Sequence, residues 1–242
     1  MDNRLTDFLS RLNAATTADE AWEMTVAFME QMGATSLVYA AGEKLDDYSM
    51  YTTTPDWWME RYTEKQYAFH DKQLHHCMNY LNTSFLDLGS LKAQTFDGSA
   101  EDKVSLEFSE TGIASVVTLP LRLPWADRSF GGMSLACDMS MPELQMLLSE
   151  NGQIIHLAAM YSHSIIQTLL RNEQAQAAPL SAREKECLLW LARGLNSERI
   201  ADRLNIARIT VDTHIGSAKR KLGAATREHA LAMAIQLGII AP

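Results

Sequence analysis

Along roughly the first 170 residues, stretches with the apolar spacing of helices alternate with stretches that have the composition of strands. Apolar residues recur every three or four positions over residues 5–12, which predicts an amphipathic helix. Thr17 and Glu20 form a capping-box pattern, so a second helix should begin there and end at Gly33. The chain is therefore expected to open with two helices.

Four later stretches have the β-branched and aromatic composition of strands, at residues 36–41, 48–53, 115–121 and 130–137. Pro120 cannot donate to a sheet ladder, which predicts an edge or a bulge for the third of them. Helices are predicted to begin at Pro55 and to cover residues 71–80, 100–110 and 141–170, with an irregular stretch over residues 82–97. Helices that flank a central, mostly antiparallel sheet predict an α/β/α sandwich.

Start and stop signals predict four further helices in the last sixty residues. Ser181 and Glu184 form a capping box, and Gly194 stands where the first of these helices should end. Thr226 is placed to cap the last one. The middle two meet at Asn205, a residue type that tolerates the left-handed conformation of a sharp turn. An all-α helix-turn-helix domain is thus predicted after the sandwich, which places the whole chain in the α+β class.

The second helix of that turn, predicted from Arg208 to Leu222, has two unlike sides. Its inward side carries Val211, Ile215, Ala218 and Leu222. At 100° per residue, the outward side carries Ile209, Thr213, Gly216, Ser217 and Arg220, with Thr210 at its edge. Small, polar and positive residues there suit a DNA major groove about 12 Å wide. An ordinary solvated helix face is the alternative interpretation.

Charge is divided unevenly along the 242 residues, whose formal net charge is −9. From Pro179 onward, ten Lys and Arg stand against six Asp and Glu, so this tail is net +4 and the rest is net −13. Such asymmetry is typical of an acidic sensing domain joined to a nucleic-acid-binding domain. The predicted domains are residues 1–170 and 180–242, joined by a polar, Ala-rich linker over residues 171–179.

Composition narrows the class of protein further. The chain is 47% hydrophobic and 21% charged, which is typical of globular proteins. No apolar run approaches about 18 residues and no signal peptide is recognisable, so we expect a cytoplasmic protein without membrane contact. Cys77, Cys137 and Cys187 lack disulfide or metal spacing and fit reduced thiols in cores. No metal site is expected.

The C-terminal pattern strongly resembles the DNA-binding domain of LuxR-type transcriptional regulators. The matching segments include Leu191-Ala192-Arg193-Gly194-Leu195, Thr210-Val211, His214 and Lys221-Leu222-Gly223. The resemblance implies a homodimer on an inverted-repeat operator in double-stranded DNA, with RNA polymerase as a further candidate partner. The residues expected to contact DNA are Arg208, Thr210, Thr213, His214, Ser217, Lys219, Arg220, Lys221 and Arg227.

Two positions of this domain depart from the family pattern. Ala207 stands where the family usually has a capping Ser, and a lost cap costs about 1 kcal/mol. Its uncapped amides are suited to a DNA phosphate instead. Asp212 stands where the family often has Lys, so it should meet a cytosine amino group or lie away from phosphates. DNA binding remains expected, but the operator sequence is open.

Three polar side chains of the first domain are candidates for a ligand site. Trp58 and Tyr62 lie four residues apart on a predicted helix, so the indole N–H and phenol O–H project the same way. With the Asp71 carboxylate they can hold a ligand that has two carbonyls and an amide N–H. Aromatic residues that simply form a helix core are the alternative.

The spacing of Trp58, Tyr62 and Asp71 also resembles the ligand signature of LuxR-type autoinducer-binding domains. The resemblance covers most of residues 1–170. It implies that Trp58 meets a lactone carbonyl, Tyr62 an acyl carbonyl and Asp71 the amide N–H, with Ser134 also near the amide. The implied ligand is an acyl-homoserine lactone or a related amide signal, and no other cofactor is implied.

Several wall positions depart from that signature. The family usually has Pro, Trp, Gly and Tyr where this chain has Lys72, Leu86, Val116 and Thr54. Losing an indole and gaining three carbons should reshape the cavity, so Leu86 and Val116 are included among the expected ligand-binding residues. The ligand is then an acyl-homoserine lactone of unusual chain preference, a related amide, or no lactone at all.

Motifs of other protein classes are missing from the sequence. It has no Gly-x-Ser-x-Gly, no Gly-rich phosphate loop and no His-Glu-x-x-His, so we expect no enzyme and assign no catalytic residue. The N-terminus also lacks the acidic pair and repeated βα units of a phospho-receiver. A ligand-responsive transcriptional regulator is predicted. The alternative is an orphan regulator that is ligand-independent, senses a non-lactone molecule, or blocks another LuxR-type subunit by heterodimerising.

Overall fold

The computed structural model describes residues 3–45, 47–91, 99–121, 130–177 and 179–242. The chain divides into two compact units, Met1–Ile166 and Gln167–Pro242. The first unit is built on a five-stranded sheet and the second is all helical, which confirms the predicted fold class. None of the described helices is long and apolar enough to cross a membrane.

Along residues 3–177 the elements are α1 (Asn3–Leu12), α2 (Ala18–Gln31), β1 (Ser36–Lys44), β2 (Asp47–Thr52), α3 (Asp56–Glu64), α4 (Lys72–Asn79), β3 (Ser84–Asp87), α5 (Leu88–Leu91), α6 (Ala100–Phe108), β4 (Ser115–Pro120), β5 (Phe130–Cys137) and α7 (Met141–Ala177). The predicted cap of α2 is present, because the Thr17 hydroxyl accepts a hydrogen bond from the Glu20 amide at 3.2 Å. The two opening helices lie where the apolar spacing places them.

The five strands form one antiparallel sheet in the order β2-β1-β5-β4-β3. Side chains alternate between its two faces. Tyr39 of β1 faces α2 and α7, where its ring lies 6.4 Å from that of Trp22 and its hydroxyl is 2.8 Å from His163 Nδ1. Val38 and Ala40 face the opposite way, toward α3, α4 and α6. Helices thus cover both faces, as the predicted α/β/α sandwich requires.

Two expectations about the sheet were wrong. The stretch over residues 82–97, predicted to be irregular, contains β3 and α5. Strand β3 forms because residues 84–87 pair with β4. Residues 92–97 lie outside the described residues. Strand β4 is not an edge strand, although it contains Pro120. Pro120 is tolerated because it is the last residue of β4, beyond Thr118, where the pairing with β3 begins.

Helix α7 continues past the predicted end at residue 170 and reaches Ala177. The polar, Ala-rich residues expected to form a linker are good helix formers, and the first residue that must stop a helix is Pro179. Residue 178 of that expected linker lies outside the described residues.

Four helices form the second unit: α8 (Ala182–Ala192), α9 (Ser197–Leu204), α10 (Arg208–Lys221) and α11 (Arg227–Gln236). Asn205 makes the turn between α9 and α10 in the left-handed conformation, at φ 53° and ψ 49°. The inward side of α10 is buried as predicted, at Val211, Ile215, Ala218 and Leu222. The predicted helix-turn-helix is confirmed.

A buried carboxylate ties the beginning of α8 to the end of α10. Glu184 completes the capping box with Ser181, whose amide donates to Glu184 Oε2 at 2.6 Å. The Lys221 ammonium donates to the same oxygen at 2.8 Å. Burial raises the pKa of Glu184, but the bonds from Lys221, Ser181 and Ser217 outweigh it and lower that pKa to about 2.

We predict that this carboxylate makes the second unit acid-sensitive. Because its pKa is lowered in the fold, Glu184 stabilises the unit above pH 4.5, its ordinary value, and that contribution is lost as the pH falls toward 2. Glu184→Gln should lower the free energy of unfolding by about 3 kcal/mol at pH 7 and abolish the acid step. Hydrogen exchange of peptides from residues 180–242, at pH values from 7 to 3, measures both.

The matched control is Glu186→Gln on the same helix. Glu186 pairs with Arg183 at 2.7 Å, but both side chains are exposed, so that ion pair contributes little. Equal acid sensitivity in the wild type and Glu184→Gln would contradict the assignment.

Candidate functional site

A cavity of about 90 Å³ lies between the sheet and helices α3, α4 and α6. Its walls are mainly apolar, with a few polar groups, as is usual for small-molecule sites. All six side chains predicted to bind a ligand line it: Trp58, Tyr62, Asp71, Leu86, Val116 and Ser134. The fold therefore brings together residues that lie up to 76 positions apart in the sequence.

Asp71 holds the polar end of the cavity in place. It is the N-cap of α4, and its Oδ1 accepts hydrogen bonds from the amides of Gln73 at 2.8 Å and Leu74 at 3.2 Å. Its Oδ2 accepts the Tyr62 hydroxyl at 2.9 Å. A carboxylate oxygen has a second lone pair, so Oδ2 can also accept an N–H from a ligand.

Tyr62 differs from its expected role in one respect. Burial, followed by the neighbouring Asp71 charge, raises the pKa of Tyr62, so the phenol keeps its proton. That proton is donated to Asp71 in this structure, not aimed at a carbonyl position. To donate to a ligand carbonyl, Tyr62 must exchange its bond to Asp71 for one to the ligand.

The Trp58 indole forms an aromatic wall of the cavity. Trp58 is 4% exposed, and its ring lies 5.2 Å from that of Phe108, 5.9 Å from Tyr67 and 6.0 Å from Tyr62. The core and cavity interpretations of these aromatic residues are both correct in part. The cluster packs α3 against α6, and its inner edge faces the cavity.

Leu86 and Val116 are directly opposite each other across β3 and β4. The family resemblance leads one to expect Trp and Gly at these positions. Two medium-sized side chains here take the place of a large one beside a small one, so the total volume of the wall changes less than either substitution suggests. Thr54 is buried and bonds the Thr52 hydroxyl at 2.8 Å, outside the cavity wall.

Ser134 contributes a hydroxyl from β5. Its Oγ lies 2.8 Å from the Thr118 hydroxyl on the neighbouring strand β4, and either group can donate. The pair can therefore present a donor or an acceptor to a ligand.

Lys72, Gln73 and Cys77 also line the cavity, although the sequence analysis did not place them among the ligand-binding residues. Gln73 Oε1 is buried without a hydrogen-bond partner. Lys72 lines the wall beside Asp71 and binds Asp102 of α6 at 2.7 Å. Cys77 packs against Gly132, where a Cβ would collide with its sulfur, so a glycine lets α4 lie close to the sheet. Burial raises the pKa of Cys77 to about 12. Nearness to Asp71 in sequence is the signal that could have indicated Gln73, whereas Lys72 stood out in the sequence only as a departure from the family pattern.

The second candidate site is the outward side of α10. Ile209 is 72% exposed, and Thr213 and Arg220 are also exposed. Thr210 and His214 are partly buried at the edge of this surface. Ala207 is the N-cap residue of α10 and makes no side-chain cap hydrogen bond, as predicted.

Two of the nine side chains predicted to contact DNA are engaged in bonds within the second unit. Ser217 and Lys221 both bond Glu184 of α8, and the Lys221 ammonium also donates to the Pro179 carbonyl at 3.2 Å. The angular positions of Ser217 and Lys221 around α10 do not by themselves show that both side chains reach α8. We therefore leave both out of the proposed DNA contacts.

The remaining basic side chains predicted to bind DNA have weaker attachments within the chain. Arg208 lies 3.0 Å from the Glu198 carboxylate, with both side chains exposed. Lys219 reaches the Ala225 carbonyl at 3.4 Å, and Arg227 lies 3.1 Å from Glu228. The pair of Arg208 and Glu198 is exposed, and exposed ion pairs are worth little and exchange readily for another anion.

Asp212 has a structural contact that the sequence did not indicate. Its Oδ1 accepts the Ser197 hydroxyl at 2.6 Å, and Oδ2 lies 3.7 Å from Arg208. Because Ser197 is the first residue of α9, this bond ties the two helices of the turn together.

Comparison with known proteins identifies a family for each of the two domains. Residues 17–166 match the autoinducer binding domain family, and residues 178–234 match bacterial regulatory proteins of the luxR family. HTH-type transcriptional regulator y4qH of Sinorhizobium fredii is 30% identical over 192 residues, 77% of this chain and 55% of y4qH. The aligned part thus spans about half of that relative. Transcriptional activator AhyR of Aeromonas hydrophila is 25% identical over 99% of this chain and 93% of its own.

Solved structures share the fold. Escherichia coli SdiA superposes with a TM-score of 0.68 at 20% identity, covering 98% of both chains. SdiA in complex with octanoyl-rac-glycerol gives a TM-score of 0.67 at 22% identity, covering 97% of this chain and 94% of SdiA. The chain belongs to the LuxR family of bacterial transcriptional regulators, with an autoinducer-binding domain followed by a LuxR-type helix-turn-helix domain.

Proposed function

We propose that this regulator is a homodimer that binds an acyl signal with a polar amide head and recognises an inverted-repeat operator. Residues 1–170 would sense the signal and residues 180–242 would bind DNA, in the cytoplasm where the DNA lies. One observation carries the proposal: six predicted ligand residues line a single cavity, in which the Asp71 carboxylate accepts the Tyr62 hydroxyl.

The cavity's chemistry supports an amphiphilic signal. Asp71 Oδ2 has a lone pair for an amide N–H, and the Trp58 indole and Ser134 hydroxyl can serve carbonyl oxygens. The apolar walls suit an acyl chain. SdiA, which shares the fold, holds octanoyl-rac-glycerol, a molecule with an acyl chain and a polar head. An acyl-homoserine lactone or a related amide is therefore our first candidate.

The charge of the second unit supports DNA as the partner. A dimer would place two copies of α10 about one turn of duplex apart, so each would read half of an inverted repeat. Arg208, Lys219, Arg220 and Arg227 would bind phosphates, while Thr210, Thr213 and His214 would face the bases. RNA polymerase is the candidate further partner of the bound dimer.

One observation favours a second candidate function. Tyr62 and Asp71 already satisfy each other at 2.9 Å, and Leu86 stands where the resemblance expects the indole beside a lactone ring. A regulator that is ligand-independent, senses a non-lactone molecule, or blocks another subunit as a heterodimer would fit this arrangement.

The deciding experiment uses full-length protein purified from cells grown with N-octanoyl homoserine lactone, with octanoyl-rac-glycerol, or with neither. Each preparation is applied to a pool of random DNA duplexes, and bound molecules are sequenced while co-purified small molecules are identified by mass spectrometry. Selection of an inverted repeat only in the presence of an acyl compound supports the proposal. Equal selection by all three supports the ligand-independent alternative, and no selection contradicts DNA recognition.

We predict that Asp71→Asn separates ligand binding from folding. Asparagine keeps an oxygen for the amides of Gln73 and Leu74, but the carboxylate that accepts a ligand N–H is lost. The apparent Kd for a bound acyl compound should rise by roughly tenfold or more, while DNA contacts are unchanged. Fluorescence titration of the signal measures the first and gel shift at saturating signal the second.

Asp19→Asn is the control, since Asp19 is an exposed carboxylate in the first turn of α2. If Asp71→Asn titrated like the wild type, Asp71 would be removed from the ligand site.

We predict a phosphate contact for Arg220, which is exposed at the end of α10. Arg220→Ala should weaken binding to all duplex sequences by a similar factor. It should also reduce the slope of log affinity against log salt by about one unit for each contact removed. Titrations at several salt concentrations measure this slope.

Arg183→Ala serves as the control, because Arg183 is an exposed arginine of the same unit on α8, paired with Glu186. A change in preferred sequence with an unaltered salt slope would show that Arg220 reads bases instead.

A further inference from the structure

A narrow ridge runs along the outward side of α10 through Ile209, Thr213, Gly216 and Arg220. The spacing of four, three and four residues places them within about 40° of one line on a helix. Ile209 is apolar, Gly216 has no side chain, and only Arg220 is charged. All four residues belong to the outward side that the sequence predicts.

Ile209 is the most exposed large hydrophobic residue in the part of the chain that the structure describes, at 72%. A single exposed apolar side chain is common, so its neighbours decide its meaning. The Thr213 hydroxyl donates to the Ile209 carbonyl at 2.8 Å, one turn back on the same helix. That bond uses the hydroxyl proton, so Thr213 offers a partner its methyl group and the lone pairs of its oxygen.

Gly216 gives an independent indication of a partner. A glycine inside a helix is destabilising relative to alanine, so it usually has a reason in packing. A Cβ at Gly216 would meet no atom of the described residues within 4 Å. These residues therefore do not require a glycine there, but an object that approaches α10 closely from outside would.

We propose that Ile209 and Thr213 read thymine methyl groups in the major groove, and that Gly216 lets α10 lie close enough to do so. This proposal rests on the proposed function, in which α10 enters the groove. Of the four bases, only thymine presents a methyl group there. Duplex DNA is the occupant favoured by charge, because Arg208 and Arg220 are exposed near either end of the ridge.

The proposal is tested by removing the methyl groups from the DNA. The operator selected by the full-length protein is synthesised with thymine or with deoxyuridine at every A·T pair, and both Kd values are measured. Burying one methyl group is worth about fourfold in affinity, so the deoxyuridine operator should bind at least fourfold more weakly. Ile209→Ala should weaken binding to the thymine operator and make the ratio of the two Kd values approach one.

Ile235→Ala is the matched control. Ile235 is 41% exposed in α11, so its loss removes an exposed isoleucine away from the ridge and should leave the ratio unchanged. Equal affinity of the wild type for both operators would overturn the proposal while leaving DNA binding intact. A ratio that Ile209→Ala does not change would also overturn it. Failure to select any operator would contradict the proposed function instead.

Gly216→Ala tests whether DNA approaches α10 closely, because it should change helix stability and operator affinity in opposite directions. Alanine should raise the Tm of the second unit by a few degrees, because it favours the helix. It should nevertheless weaken operator binding by about fivefold or more, because its methyl group intrudes on the contact. Gly152→Ala in α7, where a Cβ makes an ordinary 3.8 Å contact, should stabilise without weakening DNA binding. Unchanged operator affinity in Gly216→Ala would contradict the role of Gly216.

Discussion

Both sites depend on the fixed period of regular backbone, because burying one side of an element determines what its other side presents. In α10, burial of Val211 and Ile215 at 0% and 4% exposure turns Ile209 outward. In β1, packing of Tyr39 between α2 and α7 turns its neighbours Val38 and Ala40 toward the cavity. Packing of the buried side chains thus fixes the direction of neighbouring side chains that lie outside that packing.

Asp71 is a structural carboxylate that the proposed function also uses for recognition. One oxygen satisfies two amides at the start of α4, and the other holds the Tyr62 hydroxyl. Because α4 packs on β4 and β5, the cap also sets the distance between the polar end of the cavity and the sheet. A signal that bonds Asp71 therefore acts on the same group that fixes the first turn of α4, which links occupancy of the cavity to the order of its wall.

The sequence predicted those features that depend on local spacing. The capping box at Ser181, the turn at Asn205 and the buried side of α10 were all visible as patterns of a few residues. What was missed depends on contacts distant in sequence. The bond between Glu184 and Lys221 spans 37 positions, and the four-residue strand β3 is too short to show a period of two. Pro120 led to the wrong prediction of an edge strand, because a proline is tolerated in an inner strand where the neighbouring strand does not pair with it.

The cross-strand pair of Leu86 and Val116 limits how this cavity can diverge over evolutionary time. Enlarging either side chain alone would force it against its partner, and shrinking either alone would open a void beside the signal. Changes at the two positions are tolerated best when one grows as the other shrinks. Selectivity in this branch of the family should therefore shift by coupled replacements, and homologues that differ at one of these positions should tend to differ at both.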